Sequence, residues 1–70
     1  MNPENVREWL QRRPFEPFLV RLSSGVSYEV RHPENAVLTK NKLVIVYPET
    51  DSVAICALLH ITSIETPQPA

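Results

Sequence analysis

Leu43-Val44-Ile45-Val46-Tyr47 is a run of five apolar residues, four of them β-branched or aromatic. It is too short for a typical helix and is bounded by turn-forming residues, so it reads as a strand. Lys40-Asn41-Lys42 turns the chain before it, and the polar loop Pro48-Glu49-Thr50-Asp51-Ser52 follows it. Val53 to Leu58 then supplies a second strand. Both strands are apolar on both faces, where a half-buried strand would alternate. A chain of 70 residues has too little protein to cover both faces of both strands. Left bare, such strands invite aggregation. A second surface is therefore expected over one face: either another copy of the chain or its own N-terminal helix.

Moving outward, Phe18 to Leu22 alternates as a first strand and ends at Ser23-Ser24-Gly25. Gly25, the only glycine, sits where a tight hairpin needs positive φ. Val26 to Arg31 alternates cleanly, with Val26, Tyr28 and Val30 on one face and Ser27, Glu29 and Arg31 on the other. Arg21 is placed to pair with Glu29. His32-Pro33-Glu34-Asn35 interrupts the pattern, since proline cannot donate to a ladder. A short strand, Ala36 to Thr39, is expected after it. Leu59-His60 reads as a turn. Ile61 to Glu65 is a last strand, with Ile61 and Ser63 facing opposite to Thr62 and Ile64. Residues 66–70 read as a frayed tail.

At the other end, Asn2-Pro3-Glu4 has the cap, the N1 proline and the acidic first turn of a helix start. Val6, Trp9 and Leu10 form one apolar stripe. Pro14 ends the helix, giving an expected span of about residues 3–13. Three turns are not stable alone, so the stripe must dock. Pro14-Phe15-Glu16-Pro17-Phe18 is a stiff connector whose two Phe residues are expected over the core.

Seventy residues make one domain, residues 1–70, that buries only roughly 60% of its unfolded surface. Small domains usually add a disulfide, a metal or oligomerisation. Cys56 is the single cysteine, which rules out an internal disulfide and suits a reducing, cytoplasmic setting. No close Cys/His spacing suggests zinc, and no metal or cofactor is expected. Nothing at the N-terminus resembles a signal peptide, and no apolar run approaches a membrane span. Seven basic and eight acidic residues give a net charge of −1 and no global field for nucleic acid.

The order of elements resembles that of Sm-like and SH3-like small barrels: helix, hairpin, bent second strand, third and fourth strands, a one-turn break and a short fifth strand. The resemblance implies a mainly β fold with an N-terminal α-helix, closed as a small five-stranded antiparallel barrel. Sm-like proteins form rings by pairing the fourth strand of one subunit with the fifth of the next. Carried over, those strands are Val53–Leu58 and Ile61–Glu65, which places Val53, Ile55, Leu58, Ile61 and Ile64 at a subunit interface. Of the RNA-contacting positions, only Asn35 and His60 correspond. A second resemblance runs over residues 3 to 65. Pro14-Phe15-Glu16-Pro17-Phe18, Tyr28-Glu29-Val30-Arg31-His32-Pro33-Glu34 and Leu58-Leu59-His60-Ile61 look like a family of short uncharacterised bacterial proteins, from planctomycetes among others. It implies no activity.

Candidate ligand or interface residues are His60, Asn35, His32, Arg12 and Arg13. His32 with Glu34 and Glu29 has the residue types of a proton-transfer cluster, but a polar loop around Pro33 accounts for them. His60 suits a ligand contact or a pH-sensitive interface. Cys56 alternates with Ala54 and Leu58 on a strand face and reads as a small buried hydrophobe, not a nucleophile. Arg12 with Arg13, and Lys40 with Lys42, are the local basic pairs that a ring would multiply. The expectation is a homo-oligomeric interaction module without catalysis. An RNA-binding ring is the alternative, and an unknown protein partner stays open.

Overall fold

The computed structural model of the chain describes residues 1–67. Helix α1 spans Pro3–Gln11. Asn2 caps it, its side-chain oxygen accepting the Glu4 N–H at 2.9 Å, and Pro3 opens the first turn. The helix is shorter than the expected 3–13 because Arg12 already takes extended backbone geometry. Arg13 folds back instead and donates to the carbonyls of Leu10 and Arg12, closing the end.

Six strands follow: β1 (Phe18–Leu22), β2 (Ser27–Val30), β3 (Ala36–Leu38), β4 (Lys42–Tyr47), β5 (Ser52–Ala57) and β6 (Ile61–Glu65). They form two three-stranded antiparallel sheets, ordered β2-β1-β6 and β3-β4-β5. Fold class is therefore mainly β with an N-terminal helix, but the expected closed five-stranded barrel is not what forms. The strand expected at Ala36 to Thr39 forms as β3, but in the other sheet. The proline starts a 3₁₀ turn, Pro33–Asn35, which ends β2 and redirects the chain. A second 3₁₀ turn, Leu58–His60, separates β5 from β6. At both turns the chain passes from one sheet to the other. No strand pairing joins the two sheets among the described residues.

Between the sheets lies the core: Phe18, Val20 and Val30 from one side, Leu43, Ile45, Ala54 and Cys56 from the other. Val6 closes one end and is fully buried. Trp9 packs on Phe18 with ring centroids 5.5 Å apart, and Phe15 on Phe18 at 6.0 Å. The helix thus docks its stripe on the core as its spacing predicts. No polar or charged side chain is buried among the described residues. One hydrogen bond ties the sheets together, from the Tyr47 hydroxyl to the Glu29 carbonyl at 2.8 Å.

Three further expectations change. Val26 belongs to the hairpin turn and is exposed, its carbonyl accepting the Leu22 N–H at 2.8 Å. Gly25 beside it does have positive φ, +93°. In β6, Ile61 and Ile64 both pack on the core instead of facing opposite ways. Thr62 is an extra residue opposite the Arg21–Leu22 step, and this bulge slips the alternation by one. Arg21 pairs with Glu65, not Glu29. It sits across from Ser27 on β2 and Ser63 on β6, and its guanidinium reaches the Glu65 carboxylate at 3.0 Å. Residues 66 and 67 follow β6 without regular structure, and the rest of the expected tail lies outside the described residues. No helix among them is long and apolar enough to cross a membrane.

Candidate interaction surface

The two sheets treat their outer faces differently. On β2-β1-β6 the outward residues include Arg21, Ser27, Glu29, Ser63 and Glu65. Leu19 lies among them, opposite Glu29 and Glu65, and all the polar ones but Ser27 make side-chain bonds. Arg21 holds Glu65, Ser63 donates to Glu65 at 2.8 Å, and Arg31 holds Glu29 at 2.8 Å. The Glu65 carboxyl is held below its ordinary range by the bonds from Arg21 and Ser63 and by the Arg21 charge. Such a face is stable in water.

On β3-β4-β5 the outward row is Val37, Val44 and Ile55, directly opposite one another across the three strands. The next rows are Val46 with Val53, then Lys42 with Ala57. Ile55 is 63% exposed, Val37 56% and Val53 55%. Every second residue of β4 and β5 points to the core, as a strand requires, and the remaining ones are apolar apart from Lys42. Cross-strand β-branched pairs stabilise the sheet, but nothing among the described residues covers them. Helix α1 cannot, because it is committed to the core's end.

The hairpin β4–β5 has unlike ends. Exposed Lys40 and Lys42 stand at one end, and exposed Glu49 and Asp51 at the other. A hollow of about 500 Å³ lies at the lysine end, beside Ala57 and Leu59. A smaller hollow of about 160 Å³ lies at the acidic end, between Val46, Tyr47, Pro48 and Val53. Leu59, in the turn after β5, is 85% exposed, the most exposed large apolar residue of those described. Glu49 lies 3.9 Å from Arg31, a loose contact. Lys40 and Lys42 have no carboxylate partner among the described residues. Arg7, Arg12 and Arg21 each have one, and Arg31 has two.

The residues singled out from sequence divide. Val53 and Ile55 lie on the apolar outer face. Leu58 and Ile61 are 4% exposed and belong to the core, because the 3₁₀ turn between them directs both inward. Both lie inside the single chain and not on its surface, and Ile64 is packed against the core. His60 is exposed in that turn, its carbonyl accepting the Ser23 N–H at 2.8 Å. His32 is exposed and Asn35 half-buried at the other corner, where the Asn35 N–H meets the His32 carbonyl. Arg12 lies over the Trp9 ring at 3.8 Å and near Glu16. Arg13 is spent on backbone carbonyls. No side-chain bond among the described residues links these five candidates. Leu59 escaped sequence reasoning altogether, since a single leucine in a turn carries no periodicity.

For chemistry the surface offers little. No group of three or more His, Cys, Asp or Glu side chains among the described residues could hold a metal ion. Cys56 is buried, and burial pushes its thiol up, away from the thiolate a nucleophile needs. Tyr47 is also pushed up, chiefly by burial and then by Cys56, Tyr28 and Glu29 nearby. No family model, curated protein or solved structure matches the chain.

Proposed function

We propose that the chain is a homo-oligomeric interaction module, without catalysis of its own, that acts in the reducing cytoplasm. What carries the reading is the contrast between the sheets. One outer face is mostly polar and paired, with Leu19 its apolar exception, while the other is a β-branched surface running across three strands. Contiguous exposed apolar surface on a small soluble domain marks an interaction site. The test is light scattering coupled to size-exclusion chromatography on the untagged protein. A defined species heavier than the 8.0 kDa chain is expected, and weakening by Ile55→Thr. A single monomeric species at all loadings overturns the reading.

An alternative is an Sm-like ring that binds RNA. Its support is the path of the chain, with a strand bent at one corner and a one-turn break at the other. Among the described residues the outer edges of β5 and β6 are free of ladder partners, which suits edge pairing between copies. Lys40 and Lys42 would then repeat around the ring. Binding to single-stranded RNA at low salt, lost on substituting those lysines, would favour it. No binding at low salt removes it.

A further inference from the structure

We infer that the apolar face of β3-β4-β5 packs on the same face of a second copy, about a two-fold axis that sets the two β4–β5 hairpins antiparallel. This rests on the self-association proposed above and gives it a geometry. In the aligned class of sheet packing, strand directions stay within about 30° of each other, so hairpin ends come to lie over hairpin ends. Within that class two arrangements need weighing. With like ends together, Lys40 and Lys42 face the same lysines, and Glu49 and Asp51 face the same acids. With unlike ends together, each lysine pair meets an acidic pair, and a two-fold axis makes that contact twice. Opposite charges at the rim fix the register and suppress the wrong one.

Shape supports the same choice. Three strands about 4.8 Å apart, the longest six residues at about 3.3 Å each, give a face of only roughly 300 Å² in projection. Contacts beyond the strand ends enlarge it. Leu59 projects at the lysine end, and an open hollow of about 160 Å³ lies at the acidic end, with Val46, Tyr47, Pro48 and Val53 on its apolar side and Asp51 and Ser52 on its polar side. The antiparallel arrangement brings each Leu59 over the partner's hollow, extending the apolar contact at both ends. With like ends together, two leucines and two hollows would face their own kind.

The experiment is sedimentation equilibrium at low salt on four proteins: the unaltered chain, Leu59→Ala, the double variant K40E/K42E and the double variant E49K/D51K. All five positions are exposed, and circular dichroism with denaturant titration checks that each variant folds. The unaltered chain is expected to be a dimer. Leu59→Ala and both charge reversals should each raise its dissociation constant about tenfold or more, at least 1.4 kcal/mol by the standard conversion. An equimolar mixture of the two charge-reversed proteins should regain dimer, because both contacts between unlike variants are attractive. A dimer indifferent to all three changes, or an assembly larger than two, overturns this arrangement and leaves self-association standing. A monomer at every concentration overturns both and assigns the face to a different protein.

Discussion

The Tyr47 hydroxyl donates to the Glu29 carbonyl at 2.8 Å, from a strand of one sheet to a strand of the other. Glu29 is on the edge strand β2, and its neighbouring corner at Pro33 has just interrupted the ladder. The tyrosine thus closes a gap that strand pairing leaves open. Removing only the hydroxyl, as Tyr47→Phe, leaves the ring's packing in place and the carbonyl without its partner. A loss of about 1 kcal/mol is expected, read from the midpoint of urea unfolding. An unchanged midpoint would mean that water replaces the phenol without cost.

Alkaline pH should destabilise the fold in two steps. Burial raises the Cys56 thiol above its ordinary 9.0 and the Tyr47 phenol above its ordinary 10.0. Each folded state then holds its proton more tightly than the unfolded chain does. The stability from each is complete below its ordinary value and falls away as pH rises through the raised folded value. Denaturant midpoints measured from pH 7 to 11 should therefore be flat at first and fall above pH 9. In Tyr47→Phe the fall above pH 10 should be shallower.

Trp9 is half-buried, with Phe18 on one side and the Arg12 guanidinium over its face. Trp9→Ala should cost about 3 kcal/mol, since it removes both the aromatic contact and the helix's main anchor. Arg12→Ala should cost well under 1 kcal/mol, because an exposed cation over a ring contributes only about 0.5–1 kcal/mol. Thermal or chemical denaturation of both variants separates the two contributions.

Gly25 has φ of +93°, and a Cβ there would meet nothing within 4 Å. The obstacle to substitution is backbone geometry, not space. Gly25→Val should therefore cost about 1–3 kcal/mol with no change in the packed core. Gly25→Asn, which tolerates this region better, should cost less. Equal costs would point away from backbone geometry.

Much of this fold could be read from local patterning. The Asn2-Pro3 cap, the helix stripe, Gly25 and all six strand segments are encoded within a few residues of where they act. The break at Pro33 is local as well, but its consequence, moving the chain to another sheet, is not. Relations that join distant residues stayed hidden. Arg21 finds Glu65 because β1 pairs with β6, forty-four residues on. Leu58 and Ile61 seemed available on a strand face until the 3₁₀ turn directed both into the core. The candidate surface was half legible. Strands apolar on both faces announced an uncovered side, but the mostly polar face of the opposite sheet, which makes the contrast, needed the register. Leu59 had no local signature at all.

The pairing of β1 with β6 also sets a timetable. Leu19 lies opposite Glu65, so the first strand's second ladder uses nearly the last described residues. Long-range pairings of this kind slow folding, because a long loop must close before they form. During synthesis β1 and β2 can make their hairpin early, but one edge of β1 stays bare until residues 61–65 have cleared the ribosome. Through that interval the apolar strands β4 and β5 are already made and have no finished core to enter. A chain whose residues 61–65 are not yet free to pair therefore carries its greatest risk of mispairing.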